Sequence, residues 1–166
     1  MEKVSINKSM HLSEHMTLGE VTKSSHQEVY NIPNHLAIEN LKRVCSWLEE
    51  LRFTYNSLYC LKPGEDYDTS KNVEPIVINS GYRSPQLNKI VGGSPTSNHL
   101  TGCAVDIKVY GIEQAMRYAV ILMDYADDTR QDYDELLIER NKSGNYWLHF
   151  AVRPKDNRRK TRFIQT

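Results

Sequence analysis

The segment SNHLTGCAVDI, residues 97–107, places a histidine in a polar, glycine-containing run and an aspartate inside an apolar run. The apolar run AVDIKV is typical of a strand, and its alternation puts Asp106 and Lys108 on the face opposite Val105 and Ile107. A buried carboxylate without a partner is strongly unfavourable. We therefore expect Asp106 to have a metal ion or an ion-pair partner, unless its strand has one solvated face.

A second polar residue in an apolar strand is His149, in NYWLHFAV. His99 lies upstream of Asp106, and Gly102 allows a tight backbone path between them. Two imidazoles and one carboxylate form a three-ligand set of the kind that catalytic zinc uses, with a fourth position for water. For each histidine taken alone, a hydrogen-bonded core residue is the alternative. Cys103 is not expected to be a ligand, and the remaining histidines are interpreted as surface or capping residues: His11, His15, His26 and His35.

The surrounding pattern predicts an α+β domain with a small, mostly antiparallel sheet and flanking helices. Capping residues at Thr17, Asn34 and Ser84 each precede a helix. Strands are predicted for PIVIN, for 104–109 and for a hairpin within 135–152. Apolar spacing predicts the buried faces of two helices, the first formed by Ala37, Leu41, Val44, Leu48 and Leu51 and the second by Ile112, Ala115, Met116, Ala119 and Met123.

A length of 166 residues fits a single domain, predicted here for residues 17–153. Residues 1–16 are expected to be a flexible lead, and residues 154–166 a loose basic tail. Residues 124–139 hold seven acids, and residues 153–162 hold six bases, which we interpret as two solvated faces.

Global properties exclude several classes of function. A formal net charge of zero gives no indication of a nucleic-acid or membrane partner. No apolar run is long enough to span a membrane, and the N-terminus lacks the apolar core of a signal peptide. Three cysteines without paired spacing favour a reducing compartment. We expect a monomer that is synthesised in the cytoplasm.

The run SGYRSPQLNKIVGGSPTSNHLTGCAVDI, followed by WLHFAVR, resembles the zinc D-Ala-D-Ala carboxypeptidase family of cell-wall peptidases, which includes phage endolysin-like members. LSEHMTLGEVTKS resembles the opening of one branch, so the likeness extends from Leu12 to Arg153. The resemblance implies a hedgehog/DD-peptidase-like fold and one Zn²⁺ bound by His99, Asp106 and His149.

The same resemblance implies a substrate. Family members cleave peptidoglycan stem peptides next to a D-amino acid, and some are phage lysins without a signal peptide. Arg83 would bind a substrate carboxylate, which suits the bidentate guanidinium group. Ser97 and Tyr82 would be further substrate-binding residues. Release to the cell wall by a phage-type route would then bring the protein to its substrate.

The chain departs from the family pattern at the general base. Many members carry an acid three residues before the last histidine, where this chain has Tyr146. Glu139 is our candidate catalytic base instead. A three-residue hairpin loop at 142–144 would place Glu139 opposite Trp147, on the face of His149. A two-residue loop would turn Glu139 away, and Glu139 would then be a surface charge paired with a lysine or arginine.

The function that we expect is zinc-dependent cleavage of cell-wall peptides. Two alternatives remain at this point: a catalytically inactive, zinc-stabilised binding module, and a structural component of a phage or secretion particle. The absence of an acid at position 146 favours the inactive module.

Overall fold

The computed structural model describes residues 6–166. Capping side chains begin the first two helices, as predicted. Before α1 (Leu18–Thr22), Thr17 and Glu20 form a reciprocal capping box. Before α2 (His35–Tyr59), the Asn34 side chain accepts a hydrogen bond from the backbone N–H of Ala37. The predicted apolar stripe of α2 is buried at every position: Ala37, Leu41, Val44, Leu48 and Leu51.

Two further helices and a short 3₁₀ turn connect the strands. The Ser84 side chain caps α3 (Pro85–Ile90), and a 3₁₀ turn spans Asn98–Thr101. The buried face of the last helix, α4 (Ile112–Thr129), overlaps the predicted one at Ala115 and Ala119 but is rotated from it. Ile112 and Met116 are about half exposed, and the buried residues are Ala115, Tyr118, Ala119, Ile121, Leu122 and Ala126. The Tyr118 ring packs edge-on against Tyr55 of α2, which explains the rotated face.

The five strands form one mixed sheet in the order β1-β2-β4-β3-β5. Their bounds are β1 Ile78–Ser80, β2 Ala104–Lys108, β3 Glu135–Arg140, β4 Tyr146–Ala151 and β5 Lys160–Gln165. The pairs β1–β2, β2–β4 and β3–β4 are antiparallel, whereas β3–β5 is parallel. The predicted α+β class is confirmed, with one parallel pair that the sequence did not indicate.

The two faces of the sheet have different roles. One face buries Val105, Ile107, Leu136, Leu148 and Phe150 in the core. Trp47 of α2 packs on this face, with its ring centroid 5.5 Å from that of Phe150. The opposite face carries the alternate residues of the same strands, including Asp106 and His149. The core therefore supports the strands from behind, while the polar residues project from the other side.

Both predicted ends of the domain need correction. Leu12 and Met16 are buried, so the described part of the lead, from residue 6, packs on the domain; residues 1–5 lie outside the described residues. At the other end, residues 160–165 form β5, so the domain continues past residue 153. The tail is ordered because β3 offers it a full edge of backbone hydrogen-bonding groups.

None of the helices within residues 6–166 is long and apolar enough to cross a membrane.

Candidate active site

Three polar side chains converge on the face of the sheet opposite the core. Asp106 and His149 lie directly opposite each other on β2 and β4. Asp106 Oδ1 is 2.9 Å from His149 Nδ1, and Asp106 Oδ2 is 3.3 Å from His99 Nε2. One donor atom from each residue lies within 4.8 Å of the other two, so the group could hold a metal ion. The structure therefore brings the three sequence-predicted ligands together, and Cys103 is not among them.

His99 is oriented by the backbone around it. Ser97 caps the 3₁₀ turn by accepting a hydrogen bond from the backbone N–H of His99. His99 Nδ1 lies 2.6 Å from the carbonyl oxygen of Gly81. That oxygen can only accept, so Nδ1 carries the proton and the Nε2 lone pair faces Asp106. Gly102 ends the turn with φ of 75°, and a Cβ there would meet the Ala37 carbonyl oxygen at 2.5 Å.

His149 has one nitrogen directed at the cluster and one directed away from it. Nδ1 faces Asp106, and Nε2 lies 3.3 Å from Oε2 of Glu135. Nε2 is buried and has no partner of hydrogen-bonding geometry in the described part of the chain. Burial alone would lower the pKa of His149, but Asp106 and Glu135 outweigh it and raise the pKa to about 9. Conversely, although burial acts to raise the pKa of Asp106, hydrogen bonds from His149 and His99 hold it well below its ordinary value.

This donor set fits a zinc ion. Two imidazole nitrogens and one carboxylate are ligands that catalytic zinc sites use. Both histidines are buried, and Asp106 is half-buried, so the ligands are largely removed from competing water.

The hairpin between β3 and β4 determines where Glu139 points. The Asn141 backbone N–H donates to Asn145, the Gly144 N–H donates to Asn141, and Gly144 has φ of 85°. These bonds close a three-residue loop, which is the first of the two alternatives that the sequence left open. Glu139 consequently pairs with Trp147 and lies on the face of His149. Burial and the charge of Asp106 raise the pKa of Glu139, and none of the ion pairs within residues 6–166 involves it.

Tyr146 occupies the position where many family members have an acid, but it lies on the other face of β4. Its side chain packs against the core, with the Phe163 ring centroid 6.5 Å away. The Arg140 guanidinium lies 5.6 Å from the centre of the Tyr146 ring. Tyr146 therefore does not face the three polar residues.

Arg83 lies beside the metal-ligand group, with part of its hydrogen-bonding capacity unused. Its backbone N–H donates to the carbonyl of His99, and its Nη2 is 3.5 Å from Ser97 Oγ. Its Nε is buried and has no hydrogen-bond partner within residues 6–166. Burial lowers the pKa of this guanidinium, while Asp106 and Glu139 act to raise it. A half-buried arginine with free donors suits a carboxylate ligand.

Two other predicted substrate residues have different environments. Ser97 contacts both His99 and Arg83, so it joins the two parts of the site. Tyr82 belongs to the buried core, and its backbone groups bind Val21 and Asn31. Tyr82 thus contributes to packing, and the substrate-binding role predicted for it stays a prediction.

An ion-pair cluster beside His149 was not predicted. Asp134 is fully buried and pairs with Arg158 at 2.7 Å and with Arg153 at 3.2 Å, and Arg158 also binds Glu135 at 2.7 Å. The acidic and basic segments thus pair with each other in part, which corrects their interpretation as two solvated faces. One sequence signal could have indicated Glu135: strand alternation in ELLIE, residues 135–139, places Glu135 and Glu139 on the same face.

Residues 65–134 match a protein-family model described as Peptidase M15. The matched segment contains Arg83, His99 and Asp106 and ends before the hairpin that carries Glu139 and His149. No curated protein matches the chain at a significant level. M15 peptidases are metal-dependent hydrolases, and the buried group described above could bind such a metal. The matched segment and the motif that it contains therefore make this part of the chain similar to the M15 family of zinc D-Ala-D-Ala carboxypeptidase-like peptidases.

Proposed function

We propose that the protein is a zinc-dependent peptidase that hydrolyses peptide bonds in bacterial cell-wall peptides. The observation that carries this proposal is the convergence of His99, Asp106 and His149 with Glu139 on one face of the sheet. These four side chains come from the 3₁₀ turn and from strands β2, β3 and β4. A structural ion pair would need two charged groups, not four.

The three ligands would hold zinc through His99 Nε2, a carboxylate oxygen of Asp106 and His149 Nδ1. A zinc ion held by these residues would supply Lewis-acid chemistry, polarising the scissile carbonyl and lowering the pKa of water toward the neutral range. The protein supplies the orientation: Gly81 fixes the proton of His99 on Nδ1, and the β2–β4 pairing fixes Asp106 beside His149.

Glu139 would act as the general base. Its carboxylate takes a proton from the attacking water and passes it to the leaving amine. Glu139 has no ion-pair partner within residues 6–166, so its carboxylate is free for this transfer. Its raised pKa brings it closer to the neutral range, in which a base both accepts and returns a proton readily.

Arg83 would orient the substrate by binding a carboxylate of the peptide. Its guanidinium group lies next to Ser97, and its backbone is tied to His99, so a carboxylate held there sits beside the metal ligands. A terminal carboxylate would give carboxypeptidase activity, and a side-chain carboxylate within a stem peptide would give endopeptidase activity.

A second candidate function is a zinc-stabilised module that binds the wall, or a phage-particle component that contacts it, without cleaving it. The specific observation in its favour is Tyr146, which replaces the usual acid. The orientation of Glu139 toward the site supports the enzyme instead. We further propose cytoplasmic synthesis followed by phage-type release to the wall.

Digestion of purified peptidoglycan, with mass spectrometry of the released fragments, tests the function and identifies the bond. We expect fragments from the zinc-loaded wild type and none from a sample treated with a chelator. Glu113→Gln is a matched control, because Glu113 is exposed on α4 and pairs with Arg117 on the same helix. Zinc binding without any released fragment would favour the binding module.

A further inference from the structure

Glu135 is the group that faces the outer nitrogen of His149. Leu137 lies directly opposite His149 on β3, so Glu135 is the diagonal neighbour on the same face. Its Oε2 is 3.3 Å from His149 Nε2. Because Nε2 is buried and otherwise unpartnered, Glu135 is the only acceptor within residues 6–166 at ion-pair distance from it.

Glu135 is itself held from its far side. Its Oε1 accepts hydrogen bonds from Arg158 Nη2 at 2.7 Å and from Asn98 Nδ2 at 2.9 Å. These two donors occupy one carboxylate oxygen and leave the other for the imidazole. The carboxylate therefore lies between two cationic or donor groups on one side and the histidine on the other.

Arg158 is held by a fully buried carboxylate, although its own side chain is about half exposed. Its Nε lies 3.0 Å from Asp134 Oδ1, and its Nη2 lies 2.7 Å from Asp134 Oδ2, which is a bidentate arrangement. The Asp134 carboxylate is fully buried and also accepts from Asn98 at 2.7 Å. Asn98 is next to His99 in the chain, so this cluster touches the metal-ligand group on two sides.

We propose that Glu135 is a positioning residue that keeps the proton of His149 on Nε2 and leaves Nδ1 free to bind the metal, with Arg158 holding Glu135 in place. The inference rests on the proposed function, in which His99, Asp106 and His149 hold zinc. Carboxylates that accept from the outer nitrogen of a ligating histidine fix the ring and increase its basicity. The segment after β4, which supplies Arg158, thereby becomes part of the metal site.

The decisive variant is Glu135→Gln, tested in the full-length chain. A glutamine side chain has the same shape but only one acceptor oxygen. The wild-type carboxylate uses one oxygen for Arg158 and Asn98 and the other for the ring of His149, so the amide cannot accept from both sides. We expect zinc affinity, measured by competition with a chromophoric chelator, to fall by about 10–100-fold. The melting temperature of the metal-free variant shows separately whether the fold is intact.

A second pair of variants tests the link to the segment after β4. Arg158→Gln removes the contact with Glu135, and we expect it to weaken zinc binding in the same direction. Arg159→Gln is the matched control, because Arg159 pairs with Asp127 and Asp132 rather than with Glu135. It should leave zinc affinity unchanged. If Arg158→Gln fails to fold, Glu135→Gln still decides the question.

Nitrogen NMR of His149 in the zinc-loaded protein gives a readout that depends on the tautomer. We expect a protonated Nε2 and a metal-bound Nδ1 in the wild type, and an altered Nε2 resonance in Glu135→Gln. Wild-type zinc affinity and an unchanged ring signal in that variant would overturn the role of Glu135 and leave the proposed function standing. A wild-type protein that binds no zinc would overturn both.

Discussion

Glu139 on β3 and Trp147 on β4 lie directly opposite each other, which places Glu139 on the face of the sheet that carries His149. The three-residue loop at 142–144, closed by Gly144 with a positive φ, sets this register. A register shift of one residue would turn Glu139 to the core face. The number of residues in a surface turn thus decides whether the Glu139 carboxylate faces the candidate site.

Replacing the base should separate binding from catalysis. We expect Glu139→Gln to keep zinc and the fold, because in the described part of the chain Glu139 belongs neither to the candidate ligand group nor to an ion pair. The turnover rate should fall about 10²-fold or more, the usual contribution of a positioned base. Wall digestion and zinc analysis on the same preparation measure both effects. A variant as fast as the wild type would show that the base lies elsewhere.

The pH dependence of the enzyme should reflect the same carboxylate. Burial and Asp106 raise the pKa of Glu139, and a base acts only when deprotonated. We therefore expect kcat/KM to rise with pH, with its acidic limb above the ordinary glutamate pKa of about 4.3. Any residual activity of Glu139→Gln should lack this limb. An acidic limb of the same midpoint in that variant would assign the titration to another group.

Arg83→Lys tests recognition of the carboxylate. Lysine keeps the charge but loses the bidentate geometry of the guanidinium. Because hydrogen bonds to charged groups contribute about 1.5–3 kcal/mol, we expect kcat/KM to fall roughly tenfold or more. Steady-state kinetics on a stem peptide measure the change. Arg117→Lys is a suitable control, since Arg117 pairs with Glu113 on α4. Unchanged kinetics would make Arg83 a structural residue.

Removal of one ligand should release the metal. Elemental analysis of His149→Ala should show loss of zinc, because two ligands from the protein do not complete the three-ligand set. His35→Ala changes an exposed histidine at the start of α2 and should keep a full complement of zinc. Undiminished zinc in His149→Ala would remove this residue from the site.

Asp134 should make the fold sensitive to acid. Although burial acts to raise its pKa, hydrogen bonds from Arg158 and Asn98 lower it to about 2. A depressed pKa stabilises the fold above the ordinary aspartate pKa of about 3.9, and this contribution is lost as the pH falls toward 2. We expect Asp134→Asn to lower the free energy of unfolding by about 3 kcal/mol at neutral pH, as is usual when one partner of a buried ion pair is removed.

Urea unfolding between pH 2 and pH 7 measures this effect. The difference in the free energy of unfolding between the wild type and Asp134→Asn should narrow as the pH falls, because the wild-type carboxylate becomes protonated. Asp128→Asn is the control, since Asp128 is exposed on α4. A gap that stays constant with pH would show that Asp134 stabilises the fold by shape alone.

The parts of the fold that sequence could predict are local. The capping residues Thr17, Asn34 and Ser84 act within one helical turn, and all three caps are present. The loop that orients Glu139 is likewise determined by a few neighbouring residues. The candidate metal-ligand group is also recognisable from sequence, because Asp106 and His149 both interrupt apolar strands and His99 lies on the loop before one of them.

The parts that sequence could not predict depend on distant partners. Asp134 and Arg158 are 24 residues apart in the chain. Judged by residue type alone, each would be expected on the solvent-exposed surface. The parallel pairing of β5 with β3 follows a connection that no short-range pattern specifies. The buried face of α4 is rotated from the predicted one because the Tyr118 ring packs against Tyr55 of α2, which is distant in the chain.

The placement of the metal ligands on the sheet has a kinetic consequence. Asp106 and His149 lie on β2 and β4, which are interior strands, so their backbone amides should exchange with solvent only when the whole domain unfolds. His99 lies outside the sheet, on a single 3₁₀ turn that Ser97 and Gly81 hold in place. A local opening of that turn would detach one ligand while the strands stay paired. The dissociation rate of a bound ion would then follow the opening of this turn, and hydrogen exchange at residues 98–101 would follow the same event.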